Sequence, residues 1–183
     1  MAQASDLLSM GRLQSGDRLA LAELYDRHGP LMFGVALRIL RNRSDAEDAL
    51  QEAWVQAWNR CDAYDPARGS VAAWLVTIAR SRALDKLRRQ SARDRAEASA
   101  SADSIPAPAN PEDTTARGKL QDQLGRALAE LEPKQRQVLE IAYFEGLSQS
   151  QIAARLDAPL GSVKFWARQG LLRLRELVPR DVW

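Results

Sequence analysis

The sequence predicts an all-α protein built as two small helical domains joined by a flexible linker. Apolar residues recur at helical spacing along most of the 183 residues, and no alternation with a period of two indicates a strand. Residues 96–115 hold three prolines, many small residues and one large aliphatic residue, a composition that cannot bury enough apolar surface to become ordered. We therefore expect a first domain over 1–95, a linker over 96–115 and a second domain over 116–183.

The composition excludes several classes of function. With 45% apolar and 27% charged residues it is that of a folded globular protein, and it has no apolar run of about 18 residues that could cross a membrane. The first residues lack the order of a signal peptide, so we expect a cytoplasmic protein. A single cysteine and a single histidine leave no intramolecular disulfide and no zinc cluster of ordinary spacing. We expect no metal and no cofactor.

Catalysis would have to rest on His28 as a base and Cys61 as a nucleophile. No second histidine, glycine-rich phosphate loop or nucleophile elbow accompanies them. A histidine beside Gly29 and Pro30 is typical of a helix end, and a lone cysteine of a packed thiol, although a redox role for Cys61 stays open. We therefore do not expect an enzyme.

The first domain is predicted to be helical apart from one loop. Ser44 and Glu47 have the spacing of a capping box, in which each side chain satisfies a free N–H group of a new helix. Ser70 can cap the last and longest helix. The expected helices cover about 17–41, 44–60 and 70–93, and the loop covers 61–69.

The second of these helices carries an acidic face. Asp45, Asp48 and Glu52 are spaced by three and four residues, so their carboxylates share one side of the helix. Either a basic protein surface binds this cluster, or the cluster is a helix face that only solvent contacts. Trp54 and Trp58, also four apart, form an aromatic stripe that is more typical of a core.

The long helix from Ser70 combines an apolar face with a series of cations, and the preceding loop adds Tyr64 and Arg68. Aromatic and basic groups together suit single-stranded or melting DNA, whose bases stack and whose phosphates follow positive charge. Taken alone, this pattern is not specific. The cations are Arg80, Arg82, Lys86, Arg88 and Arg89.

The second domain contains a helix-turn-helix pattern. Helices are expected near 115–131, 133–144, 148–156 and 159–178, and the last two can pack through Ile152, Ala153, Leu156 and Val163. Cations on the last helix would meet phosphates and base edges in a major groove, whereas the alternative is a helical hairpin with a solvated basic face. The residues predicted to face DNA here are Ser162, Lys164, Arg168 and Arg173, with Arg175 beyond them.

Phe165 and Trp166 interrupt this basic helix near its start. Adjacent helical positions diverge by about 100°, so both rings are not expected in the same core. One of them contacts a thymine methyl group or a partner protein, or else both complete the core of the small domain. The sequence leaves these alternatives open.

In this order, the segments resemble one family, the extracytoplasmic-function sigma factors. The resemblance covers nearly the whole chain apart from the linker. Its acidic helix, its loop with the basic helix, and its helix-turn-helix read, in turn, DAEDALQEAWVQAW, AYDPARGSVAAWLVTIARSRALDKLRR and LEPKQRQVLEIAYFEGLSQSQIAARLDAPLGSVK. The resemblance implies binding to core RNA polymerase and to promoter DNA, control by an anti-sigma factor, and no small-molecule substrate.

The resemblance also implies roles for particular residues. Asp45, Asp48, Gln51 and Glu52 would dock on the clamp of the largest polymerase subunit. The loop from Tyr64 to Gly69 would capture an unstacked base of the −10 element. Arg80, Asp85, Arg88 and Arg89 would line the strand-opening helix, and Lys164 and Arg168 would read the −35 element. Ser81 departs from the family, which usually has asparagine there. A DNA-binding regulator that is not a polymerase subunit is the alternative, but it leaves the acidic helix unexplained.

Overall fold

The computed structural model describes residues 2–98 and 125–178. These residues form helices and connecting turns, without a strand among them. The chain divides into two compact units between Thr114 and Thr115. The predicted all-α class with two helical domains is confirmed, whereas residues 99–115 of the expected linker lie outside the described residues.

Four helices build the first unit. Helices α2, α3 and α4 pack on one another, and α1 packs mainly on α2. Their common core contains the fully buried Leu24, Met32 and Leu75, with Trp54 at its edge and Trp58 partly buried, as the aromatic stripe predicted. The helices are α1 (Ala2–Gln14), α2 (Arg18–Leu40), α3 (Arg43–Asn59) and α4 (Val71–Ala98).

The predicted cap of α3 is wrong by two residues. Asn42, and not Ser44, caps the helix, because the Asn42 side chain accepts a hydrogen bond from the Asp45 N–H at 3.0 Å. Arg41 ends α2 in the left-handed conformation (φ 54°), so extended backbone and a new helix follow at once. Ser44 therefore falls inside the first turn, and Glu47 pairs with Arg43 at 2.9 Å.

The prediction that His28 lies at a helix end is also wrong. His28 lies in the interior of α2, which continues through Pro30 to Leu40. Its buried imidazole has Nε2 3.0 Å from Asp6 Oδ2 of α1, and the neighbouring Arg27 lies 2.9 Å from Asp6 Oδ1. His28 therefore packs between helices, against Asp6 of α1, and does not mark the end of α2.

The second unit packs a helix-turn-helix against the preceding helices. One cluster joins Val138, Ile141, Ile152, Val163 and Ala167, and a second joins residues of the first and last segments. The helices are α5 (125–129 as described), α6 (Pro133–Glu140), α7 (Gln149–Arg155) and α8 (Leu160–Leu177), and a π-helical turn, Ile141–Glu145, follows α6.

Within the described ranges, none of the helices has the length and apolar character needed to cross a membrane.

Candidate functional surfaces

The outer side of α3 is the first candidate surface. Ala49, Ala53 and Ala57 are buried on its inner side, where small side chains let the neighbouring helices approach closely. On the outer side Asp48, Gln51 and Glu52 are exposed. They line an open groove of about 730 Å³ together with Val55, Gln56, Asn59, Arg60 and, from α4, Arg82. The groove is open to a large partner, and its charged lining residues are two carboxylates, Asp48 and Glu52, and two arginines, Arg60 and Arg82.

Asp45 does not belong to this open surface. Its two carboxylate oxygens accept hydrogen bonds from Lys86 Nζ at 2.9 Å and from Gln90 Nε2 at 2.8 Å. The hydrogen bond from Lys86 lowers the pKa of Asp45, against the opposing effect of partial burial. Lys86 Nζ also lies 2.9 Å from Asp48 Oδ2 and 3.3 Å from the Asp45 carbonyl oxygen. Of the four predicted docking residues, three are therefore open to a partner and one holds α3 to α4.

Lys86 is committed to the same network. Partial burial lowers its pKa, but the hydrogen bonds to Asp48 and Asp45 outweigh this effect, so the pKa is raised overall. Its side chain is only 19% exposed. In this conformation Lys86 neutralises carboxylates of α3 and is not available for the DNA contact predicted from the sequence. The pattern of cations along one helix could not reveal a partner 41 residues away.

The remaining cations of α4 do not share one face. Arg88 and Arg89 are exposed, with Arg88 Nη1 3.4 Å from Asp85 Oδ1, a long surface contact. Arg80 and Arg82 are partly buried, and Arg82 borders the α3 groove. Of the α4 cations predicted to contact DNA, Arg88 and Arg89 are therefore the most open to a nucleic acid, and Arg93 further along the helix is exposed as well.

The loop before α4 is organised around Tyr64. The ring is 7% exposed and meets the Trp74 ring edge-on at 5.7 Å, while the hydroxyl donates a hydrogen bond to the Gly69 carbonyl at 3.0 Å. Burial raises the pKa of Tyr64. Gly69 has φ 145°, a conformation that favours glycine. In this conformation the Tyr64 ring is buried and its hydroxyl is hydrogen-bonded within the loop, whereas its predicted DNA contact remains a prediction. Arg68, by contrast, is exposed.

The helix-turn-helix has the packing that the sequence predicted. Ser148 caps α7 in a capping box with Gln151, whose side chain accepts from the Ser148 N–H at 2.8 Å. Asp157 turns the chain with φ 46°. Ile152 and Val163 are fully buried between the two helices, with Ala153 and Leu156 partly buried beside them. Close packing through these residues fixes α8 on α7.

The predicted DNA-facing residues of α8 separate into two sides. Lys164 and Arg168 are exposed one turn apart. Arg173 follows five residues later, about 140° around the helix, and its guanidinium lies 3.0 Å from Glu176 Oε2. Arg175, seven residues after Arg168, lies on the same side as Arg168. Ser162 is partly buried.

Phe165 and Trp166 occupy opposite environments, as the angle between adjacent positions predicted. Trp166 is partly buried against the cluster of Val138 and Ile152, and the Lys134 ammonium lies 6.0 Å from its ring centroid. The Phe165 side chain is 58% exposed. The alternative in which both rings complete the core is wrong, since Phe165 remains outside it.

A helix-turn-helix whose second helix exposes cations, in a chain with a second helical unit, defines a DNA-binding protein. Two family models match the chain. The model described as sigma-70 region 2 matches residues 24–93, from α2 into α4, and the model described as sigma-70, region 4 matches residues 121–174, which include α6, α7 and most of α8.

Relatives match the chain over most of its length. The ECF RNA polymerase sigma factor SigK of Mycobacterium bovis (strain BCG / Pasteur 1173P2) is 33% identical over 94% of this chain and 93% of its own. SigK of Mycolicibacterium vanbaalenii is 34% identical over 87% of this chain and 82% of its own. The solved structure of Rhodobacter sphaeroides SigE in complex with the anti-sigma ChrR is 28% identical, with a TM-score of 0.50, and covers 96% of this chain and 99% of that one.

The chain belongs to the extracytoplasmic-function (ECF) group of the sigma-70 family. It is accordingly a transcription initiation factor, and the resemblance read from its motifs is confirmed. Sigma factors bind core RNA polymerase and promoter DNA.

Proposed function

We propose that this sigma factor docks on core RNA polymerase through the open side of α3 and reads a promoter with both of its units. The first domain, 1–95, would bind polymerase and the −10 element, and the second, 116–183, the −35 element. The observation that carries the proposal is the exposed pair of carboxylates on α3, Asp48 and Glu52, beside Gln51, because DNA phosphates would repel these carboxylates and a protein partner can bind them.

The docking proposal is supported by the charge and accessibility of the groove. Asp48 remains 63% exposed although it contacts Lys86, and Glu52 is exposed one turn further along the same helix. Two exposed carboxylates one turn apart favour a basic partner surface, and the contact with Lys86 leaves most of the Asp48 side chain accessible. Asp45 would contribute indirectly, by fixing α3 against α4 through Lys86 and Gln90.

Charge reversal tests this docking surface. The double variant Asp48→Lys, Glu52→Lys is expected to lose most of its affinity for core polymerase while keeping its helicity. The matched control is Asp26→Lys, Glu47→Lys, which makes the same charge change at exposed carboxylates that do not line the groove. Equal affinities of the two double variants would remove the α3 groove from the interface.

Contacts to the −10 element are proposed for the predicted cations that remain exposed in the loop and on α4. Arg68 lies in the loop, and Arg88 and Arg89 lie on α4. Tyr64 and Gly69 would hold the loop in the shape that accepts an unstacked base. Lys86 would contribute indirectly, because it holds α4 to α3 through its contacts with Asp45 and Asp48.

Contacts to the −35 element are proposed for Lys164 and Arg168, which are exposed one turn apart on the second helix of the helix-turn-helix. Replacing both with alanine should weaken upstream binding and lower its salt dependence, because each phosphate that a cation neutralises adds roughly 0.9 to the log–log slope. The control replaces Arg136 and Arg155, which pair with Glu140 and Glu145. An unaltered slope for the Lys164 and Arg168 variant would count against groove contact.

Three further parts of the proposal rest on similarity. We propose control by an anti-sigma factor, since the similar Rhodobacter sphaeroides SigE was solved with the anti-sigma ChrR. The protein would act in the cytoplasm, where the polymerase works. It would have no catalytic activity of its own, because the polymerase supplies the chemistry.

A further inference from the structure

We propose that Phe165 selects a thymine in the −35 element by packing its ring on the C5 methyl group in the major groove. The proposal rests on the proposed function of α8 as the helix that enters this groove. It adds one residue and one base identity to that function.

The geometry points Phe165 away from the rest of its unit. Val163 and Ala167, two residues before and two after, are 0% and 8% exposed and face the core. Because successive helical residues are rotated by about 100°, Phe165 lies about 160° from each of them. Its side chain is accordingly 58% exposed on the side of α8 opposite the packed face. A ligand that approaches α8 from outside meets this ring directly.

The core does not explain this aromatic residue. The adjacent Trp166 packs against the core cluster, whereas Phe165 lies outside it. One turn before Phe165, Gly161 has no side chain, and a Cβ added there would meet nothing within 4 Å. The N-terminal end of the outer face is therefore open around the ring, and a base edge can approach it closely.

The charges beside Phe165 favour DNA over a protein as the occupant. Lys164 precedes the ring and Arg168 follows it by three residues, and both side chains are exposed. Among the residues from 125 to 178, neither cation forms a hydrogen bond or an ion pair. An apolar ring between two unpaired cations matches a groove in which phosphates flank the base edges. The thymine methyl is the one apolar group that base pairs offer there, and phenylalanine is among the side chains that contact it.

The test uses the full chain in complex with core RNA polymerase and a pool of duplexes whose upstream element is randomised. Selected sites are remade with deoxyuridine in place of each thymidine in turn, a change that removes only the methyl group. For the wild-type chain we expect one such change to weaken binding about four-fold, which corresponds to one buried methyl group. Phe165→Ala should bind thymidine and deoxyuridine sites equally.

The matched control is Leu172→Ala. Leu172 is 46% exposed on the same side of α8 but lies two turns, about 10 Å, further from the N-terminal end. This variant should keep the four-fold preference for thymidine. Because both side chains are exposed, both variants should retain the helicity of the wild-type chain.

The outcomes separate this inference from the function on which it rests. A complex that selects no upstream sequence would contradict the proposed function of α8 itself. Two results would overturn only the role of Phe165. In one, the wild-type complex selects a sequence but binds deoxyuridine and thymidine sites equally. In the other, the Phe165→Ala complex still prefers thymidine. If Phe165→Ala instead weakens binding to core polymerase and leaves the thymidine preference intact, the ring contacts protein and the inference is wrong.

Discussion

Replacing Lys86 with methionine is expected to destabilise the first unit by about 1–2 kcal/mol near pH 7. The ammonium lies 2.9 Å from carboxylate oxygens of both Asp45 and Asp48, and the side chains of Lys86 and Asp45 are 19% and 26% exposed. Exposed ion pairs contribute about 0.2–1 kcal/mol, and loss of one partner of a buried pair costs about 3–5 kcal/mol. A partly buried pair with charge-assisted hydrogen bonds falls between these limits.

The effect should depend on pH with a definite sign. The pKa of Asp45 is lowered in the folded chain from its ordinary 3.8, chiefly by the hydrogen bond from Lys86. The stabilisation is therefore complete above the ordinary value and is lost as the pH falls through the lowered one. The difference between wild type and Lys86→Met should narrow below about pH 4.

Urea unfolding followed by tryptophan fluorescence measures this difference. In a background with Trp166→Phe and Trp183→Phe, the three remaining tryptophans all lie in the first unit and report on it alone. The control is Arg88→Met, which removes a cation whose contact is long and exposed and should change the stability by less than about 0.5 kcal/mol. Equal effects of the two variants, or a difference that does not vary with pH, would refute the assigned role of Lys86.

Three further variants test local features of the fold. Asn42→Ala should lower the free energy of unfolding of the first unit by about 1 kcal/mol, because the α3 cap is lost. Ser44→Ala should be nearly neutral in the same urea assay. The reverse order would mean that Ser44 caps the helix. Tyr64→Phe should lower the free energy of unfolding by about 0.5–1.5 kcal/mol and speed amide hydrogen exchange in the loop, because the hydrogen bond to the Gly69 carbonyl is lost. Unchanged exchange would mean that this hydrogen bond does not hold the loop. Ile152→Ala should lower the free energy of unfolding of the second unit by about 2–5 kcal/mol, because Ile152 is fully buried. Unfolding of this unit is followed by Trp166 fluorescence. A change near zero would contradict the packing of the helix-turn-helix.

The sequence was sufficient for three of the four long helices of the first unit, whereas α1 (Ala2–Gln14) was not predicted. Apolar spacing predicted α2, α3 and α4 to within a few residues, apart from the extension of α4 to Ala98. That extension continues through Ala96, Glu97 and Ala98, which are good helix formers in spite of their place in the expected linker. The separation of Phe165 from Trp166 followed from helical geometry alone.

The features that the sequence could not predict depend on contacts between distant residues. Lys86 and Asp45 meet across two helices, and His28 meets Asp6 across 22 residues of chain, so neither pair has a local signal. Tyr64 has an aromatic ring of the kind that stacks on bases. In the structure this ring is buried, because it packs on Trp74 and its hydroxyl donates a hydrogen bond to the Gly69 carbonyl. Asn42, and not the predicted Ser44, caps α3, because the position of the cap depends on where α2 ends.

Reconstitution of core RNA polymerase with this chain shows whether the chain directs initiation through α3. With a supercoiled template that carries sites selected by the complex, we expect initiation at defined start points that requires the chain and is lost with Asp48→Lys, Glu52→Lys. The Asp26→Lys, Glu47→Lys control should initiate at the same points as the wild type. Failure of the wild-type chain to bind core polymerase at micromolar concentration, or initiation no more specific than that of the core alone, would contradict the account.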